Sequence, residues 1–311
     1  MGEDRFDRED VEGWRGHLNE RGYVVVAGAL SPEQTSEGLD AMWALMEALG
    51  DVDREDPNTW ERSANWPPML HGGMIQYLGH TSVQWEMREL CAPIFAEYHG
   101  VGVDELATSF DGLCFMHSAR NYRRAGNLMS FLHTDQSPRR KGEWSIQGLV
   151  TLTDSGPDAG GLVVVPDTHL EHEDFFDGHA CQDQKADWYK LDEDEKEPYA
   201  DRVIKVDAKA GDLLLWDSRT LHANSVPTEP GTMRACVYVC MLPAARLSKK
   251  VRTKRKKAFD ERRTSNHHPA EGFKTFPKLP RFVTDRDAFW ERVLELQDIE
   301  LNSTQEALAA F

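Results

Sequence analysis

His133 and Asp135, in the stretch NLMSFLHTDQSP (127–138), stand two apart behind a mostly apolar run. On a strand, residues i and i+2 share a face, so this imidazole and this carboxylate point the same way. Burying both is costly unless a proton, a partner or a metal compensates them. His222, at the end of LLLWDSRTLHANS, is a third candidate. Two imidazoles and one carboxylate on one face of a metal make the facial triad of non-haem Fe(II) oxygenases, which leaves coordination positions open. Zinc is more often held by three His or Cys, or by H-E-x-x-H, and that motif is absent. Arg234 follows in GTMRACVYVC, where strand alternation gives it the same face as Cys236, Tyr238 and Cys240. A buried guanidinium requires an anion, and a carboxylate matches its fork. Beside such a centre the natural anion is the distal carboxylate of 2-oxoglutarate.

Each of these residues alone reads more simply. H-x-D arises by chance and a satisfied core histidine is the default; the joint pattern of H-x-D, His and Arg shifts the balance. His169 and His172 in PDTHLEH read as structural or surface residues, and His267 and His268, in a polar segment, as solvated. Arg219 either reaches a substrate or pairs with Asp217, with pairing slightly favoured. Trp60, Trp66 and Trp85 are candidates for a pocket mouth, although aromatic residues in such places are more often core. Trp66 and Arg219 are retained as substrate candidates.

The elements that must position these side chains are readable in outline. Apolar spacing predicts helices over 7–20, 31–49 and about 81–98; Ser31 caps the second and Pro32 opens it. GYVVVAGAL reads as a short buried strand. Residues 51–70 form a polar, Pro-rich loop that could fold over a site. The strand-like LATSFDGLCFM follows the third helix, and from 127 onward the texture changes to strands: EWSIQGLVTLTD, LVVVP, RVIKVDAKAGDLLLWD and MRACVYVCML, separated by Gly/Pro/Asp turns. Many short strands favour a sandwich or jelly roll over a parallel α/β sheet. The expected organisation is one domain over 1–311: helical support and loop (1–105), jelly-roll core (106–243) and a helical C-terminal extension (244–311). Substrate-lining residues are expected on loops 51–80, 116–130 and 170–202.

Composition bounds the function. A net charge of −17 argues against nucleic acid and anionic membranes as partners, because both are polyanions. No apolar run approaches the roughly 20 residues of a membrane span, and the acidic N-terminus lacks signal-peptide order. Five scattered cysteines without C-x-x-C fit reduced thiols in the cytoplasm. The acidic run DEDEKE (192–197) reads as a solvated loop. The basic run KKVRTKRKKAFDERR (249–263) could be an address or a grip on a phosphorylated substrate, but reads better as a helix face.

The set H-T-D, GGLVVVPDTH, GDLLLWDSRTLHAN and the following arginine resembles the phytanoyl-CoA dioxygenase (PhyH) family of Fe(II)/2-oxoglutarate oxygenases, from about Gly22 to Pro243. RGYVVVAGALSPEQ resembles that family's opening strand and helix, and ERRTSNHHP a tail found in one branch. The resemblance implies a mainly β fold with flanking α, a double-stranded β-helix (jelly roll, cupin-like) of about eight core strands, with N-terminal helices buttressing one sheet. It implies His133, Asp135 and His222 as iron ligands, and Arg234 as the salt bridge to 2-oxoglutarate. Asn224 and Gln147 would lie near that cosubstrate. Fe(II), 2-oxoglutarate and O2 would hydroxylate a small molecule, releasing succinate and CO2, with no catalytic residue beyond the iron centre. The presence of Asp135 counts against halogenation, for which relatives lack this carboxylate. Desaturation, cyclisation or epimerisation at the same iron are the alternatives, as is a jelly-roll protein that binds metal or ligand without turnover. The family's PGSH is PDTH here, so Asp167 occupies a turn-glycine position.

Overall fold

The computed structural model describes residues 4–70, 73–118 and 127–311. Part of the expected pocket loop 116–130 therefore lies outside the described residues, at 119–126, as do 71–72 and the first three residues. The strands in chain order are β1 (Arg5–Asp7), β2 (Tyr23–Ala27), β3 (Met74–Ile75), β4 (Leu106–Thr108), β5 (Leu113–His117), β6 (His133–Thr134) and β7 (Ile146–Thr151). They continue with β8 (Gly161–Val164), β9 (Tyr189–Lys190), β10 (Ile204–Lys205), β11 (Leu213–Asp217), β12 (His222–Ser225), β13 (Met233–Tyr238) and β14 (Met241–Pro243). The helices are α1 (Val11–Arg21), α2 (Pro32–Leu49), α3 (Ser82–His99), α4 (Thr168–Phe176), α5 (Glu193–Lys196), α6 (Lys249–Asp260), α7 (Arg286–Glu295) and α8 (Ser303–Ala309).

A seven-stranded sheet runs β1-β2-β11-β7-β13-β5-β3, and a five-stranded sheet runs β10-β8-β12-β6-β9. Alternation along the strands divides the core. In the large sheet Val24, Val26, Ile146, Val150, Leu213, Leu215, Ala235 and Val237 face α1, α2 and α3. The alternate residues Val25, Leu149, Leu214, Trp216, Cys236 and Tyr238 meet Leu162 and Val164 of the small sheet across a shared interior. The outer face of the small sheet carries Val163, Val165, Leu221 and Ala223. The architecture is thus mostly sheet, with helices against one face. β1 and β2, within the segment expected to supply helical support, are strands of the large sheet.

Local chemistry explains the boundaries. Ser31 and Gln34 form a reciprocal capping box at the start of α2, with Pro32 in its first turn. α1 ends at Gly22, whose φ of 78° suits a residue without a Cβ. Asp167 holds φ 71° ahead of α4, so the turn keeps the left-handed geometry that glycine adopts freely. Its carboxylate takes both contacts from Arg21 Nη1, at 2.9 and 2.8 Å.

One expectation changes and another holds. The loop 51–70 does not cover the interior: Trp60 and Trp66 lie against Trp43, on the helix side of the large sheet. The basic run forms α6, and Arg255 within it is fully buried. Its guanidinium donates to the carbonyls of Ala309, Pro269 and Thr108 at 2.7–3.0 Å. It thereby ties α6 to α8 and β4. Arg255→Ala would strand those carbonyls and is expected to cost about 3 kcal/mol in chemical denaturation. The exposed neighbour Lys254→Ala should leave the transition unchanged. Equal effects of the two would refute a structural role.

Candidate metal centre

His133 and His222 are directly opposed across β6 and β12, and His222 is also in register with Val164, an inward residue of β8. Opposed residues share a face, so both imidazoles enter the interior between the sheets. Their ring centroids are 4.2 Å apart. β6 is only two residues long. The chain turns at once into Asp135, whose N–H donates to the Ser218 carbonyl at 3.0 Å. Asp135 Oδ1 lies 3.7 Å from His133 Nε2, and Oδ2 lies 3.3 Å from His222 Nε2. One donor atom from each of the three falls within 4.8 Å of the others.

The far side of each ring fixes what the near side offers. His133 Nδ1 is 2.9 Å from the Phe131 carbonyl, and His222 Nδ1 is 2.9 Å from the Thr220 carbonyl. A carbonyl only accepts, so each Nδ1 carries its proton and Nε2 is left as the inward atom. Burial, then the neighbouring His222, pushes His133 down to about 4, so its Nε2 presents a lone pair at neutral pH. Burial opposes ionisation of Asp135, but His133 and the contact to His222 outweigh it and hold the carboxyl well below its usual range. Lone pair and carboxylate therefore face each other in a largely dry space. A divalent cation between them resolves that arrangement, and two imidazoles with one carboxylate suit Fe(II).

Around this trio the inner face of the large sheet carries polar atoms without partners. Arg234, in register with inward Met116, is 2 % exposed; its Nη1 donates to Asn224 Oδ1 at 2.7 Å, while Nη2 has no partner. Gln147 and Trp216 oppose one another on β7 and β11, and Gln147 Oε1 and Trp216 Nε1 are likewise buried and unpaired. Such orphans are costly in a closed core and ordinary in a binding site. They fit a polar, carboxylate-bearing molecule next to the cation.

Gln147 lies here, whereas Arg219 and Trp66 do not. Gln147 touches Asp135 itself, Nε2 donating to Oδ2 at 3.0 Å. Arg219 is held by Asp217 through bonds of 2.9 and 2.6 Å, and it lines a cleft with Thr134, His172 and Phe176, on the outer side of the small sheet. Trp66 is buried on the helix side of the large sheet, its indole N–H on the Trp60 carbonyl at 2.9 Å. Neither reaches the interior: Arg219 lies on the outer face of the small sheet and Trp66 on the helix side of the large one. His169 and His172 bond the carbonyls of Asn19 and Gln136, in keeping with structural roles.

The largest correction concerns the histidine pair of the C-terminal segment. His268 is buried against Trp144, with ring centroids 3.9 Å apart. His267 places Nδ1 2.9 Å from Asp111 Oδ1 and Nε2 3.7 Å from Asp135 Oδ2. Reading it as solvated failed because a polar context says nothing of where a distant segment docks. The tail motif ERRTSNHHP was the available signal.

A mainly β protein with two imidazoles, a carboxylate and an arginine with one unpaired nitrogen between its sheets is the class these observations define. The family model described as Phytanoyl-CoA dioxygenase (PhyH) matches residues 107–226. That span holds His133, Asp135 and His222. Ava biosynthesis cluster protein O of Aspergillus versicolor is 27% identical over 275 residues, 84% of this chain and 87% of that protein. Among solved structures, a hypothetical protein from Escherichia coli matches with TM-score 0.57 at 13% identity, over 94% of this chain and 85% of that one. EvdMO1 matches with TM-score 0.51 at 16% identity, over 74% of this chain and 49% of that one. Those two likenesses concern the fold alone. No helix among the described residues is long and apolar enough to cross a membrane.

Proposed function

We propose that the chain is a non-haem Fe(II)- and 2-oxoglutarate-dependent dioxygenase that hydroxylates a small molecule, with residues 1–311 forming one oxygenase domain. Its two facing sheets are read as the halves of a double-stranded β-helix. The observation that carries the reading is the inward Nε2 of two tautomer-fixed histidines facing Asp135, on the same interior as the unpartnered Nη2 of Arg234. His133, Asp135 and His222 would hold iron. Arg234, steadied by Asn224, would take the distal carboxylate of 2-oxoglutarate in charge-assisted hydrogen bonds. Iron, 2-oxoglutarate and O2 would supply the oxidising chemistry, with succinate and CO2 as coproducts. The chain's own contribution is to orient the ligands by the carbonyls of Phe131 and Thr220 and to exclude water with Leu149, Leu162, Val164 and Leu214. The relative from Aspergillus versicolor is named for a biosynthesis cluster, which favours a small-molecule substrate. Five free cysteines suit a reducing compartment.

The test is succinate release by anaerobically purified protein given Fe(II), 2-oxoglutarate and O2, with and without candidate substrates. Substrate-stimulated succinate is expected, with incorporation of one atom of 18O2 into the product. Succinate without oxygen incorporation would move the reading to desaturation, cyclisation or epimerisation. Metal binding without succinate under any condition would leave a non-catalytic binding protein.

A further inference from the structure

A carboxylate that ligates a metal through one oxygen can swing about its Cβ–Cγ bond unless the other oxygen is held, which is why outer partners of metal ligands matter. Asp135 Oδ2 has Gln147 Nε2 at 3.0 Å on one side. On another side, 3.7 Å away, stands His267 Nε2. His267 does not arrive there by chance packing. Its other nitrogen meets Asp111 Oδ1 at 2.9 Å, and Asp111 is in turn bonded by the Ser109 hydroxyl. Asp111 is 2 % exposed, and its main-chain carbonyl accepts from buried Gln84 and Arg88. Cys240 Sγ faces the same ring as an acceptor for its N–H.

The segment leading into His267 is fastened at several points. Ser265 N–H donates to the Phe110 carbonyl at 2.9 Å, and Phe110 N–H donates to Ser265 Oγ at 3.0 Å. His80 Nε2 meets the Arg263 carbonyl at 3.0 Å, and Thr264 Oγ1 donates to the Gln76 carbonyl. These contacts set one ring between two carboxylates, one structural and one belonging to the metal centre.

We propose that His267, anchored by Asp111, is a positioning residue that holds Asp135 in its metal-ligating rotamer, so that the C-terminal segment completes a centre built by the β core. The inference rests on the iron-site reading above. Asp111, Cys240 and His267 also bring donor atoms within 4.8 Å of one another, as a second cation site would. In this structure, however, His267 already meets Asp111 at 2.9 Å, and burial raises the Cys240 thiol, favouring its neutral form.

The experiment is Mn(II) titration of the full chain by electron paramagnetic resonance, with Co(II) absorption reporting coordination geometry. His267→Ala is expected to weaken Mn(II) binding about 10–100-fold and alter the Co(II) bands, as loss of an outer partner does. His267→Gln, which keeps a donor, should recover part of the affinity, and Asp111→Asn should fall between. A role confined to packing would lower the melting temperature and leave metal affinity, Co(II) bands and Gln rescue untouched; that result overturns the proposal. If His267→Ala does not fold, Asp111→Asn and His267→Gln carry the same readouts. Two Mn(II) per chain, one of them lost in Cys240→Ser, would also overturn it in favour of a second cation site. A wild-type chain that binds no metal would instead remove the iron-site reading, and this inference with it.

Discussion

Asp135→Ala is expected to lower Mn(II) or Fe(II) affinity by more than about 100-fold, beyond what outer-partner losses produce. The substitution deletes the only carboxylate of the trio and strips Gln147 Nε2 of the acceptor it meets at 3.0 Å. The two imidazoles remain, aimed inward by their carbonyl partners, so residual binding through His133 and His222 should persist at high metal concentration. Succinate release should disappear at metal concentrations that saturate the wild type. Anaerobic titration against wild type and His133→Ala provides the comparison. Affinity in Asp135→Ala within threefold of wild type would show that the carboxylate is not a ligand.

Arg234→Met separates cosubstrate from metal. Losing the charged partner of a buried carboxylate typically costs about 2–5 kcal/mol, which is roughly thirtyfold or more in the 2-oxoglutarate dissociation constant. Metal affinity should change little, because Arg234 bonds Asn224 and none of the three inward ligands in this structure. The cofactor-free variant is expected to melt no lower than the wild type. The native guanidinium is a buried cation with Nη2 unpaired, and an apolar side chain of similar length removes that burden. Equal losses of metal and 2-oxoglutarate affinity would make Arg234 structural.

Much of this centre was legible from residue types and spacing. His133 and Asp135 could be read as sharing a face because strand alternation is local: two residues apart means one face, whatever the fold. The helices α2 and α3 were equally legible, since caps and 3.6-residue spacing are written within the segment. Misplacements came where location depends on a distant partner. Arg219 pairs with Asp217 as slightly favoured, yet the pair lies outside the small sheet. Trp66 entered the aromatic cluster of Trp43 and Phe115, where burial of three rings outweighs exposure over a cleft. Gln147, expected beside the cosubstrate, keeps an unpaired Oε1 on that interior while its Nε2 bonds Asp135.

The sequence by itself determined the chemistry on offer: two imidazoles, a carboxylate and a guanidinium on strands whose other residues are core. It also determined local turn positions, with an aspartate at 167 where a glycine is usual, whereas the pairing of Asp167 with Arg21 needed the folded chain. Tertiary structure decided which strands face each other, and hence that His133 and His222 meet across β6 and β12. It also decided that a histidine in a polar tail is drawn between Asp111 and Asp135. The reason is physical. Periodicity and capping are short-range and survive in a string of letters. The pairing of a buried charge with its counter-charge depends on how the chain closes in space, and residues 111, 135 and 267 become neighbours only then.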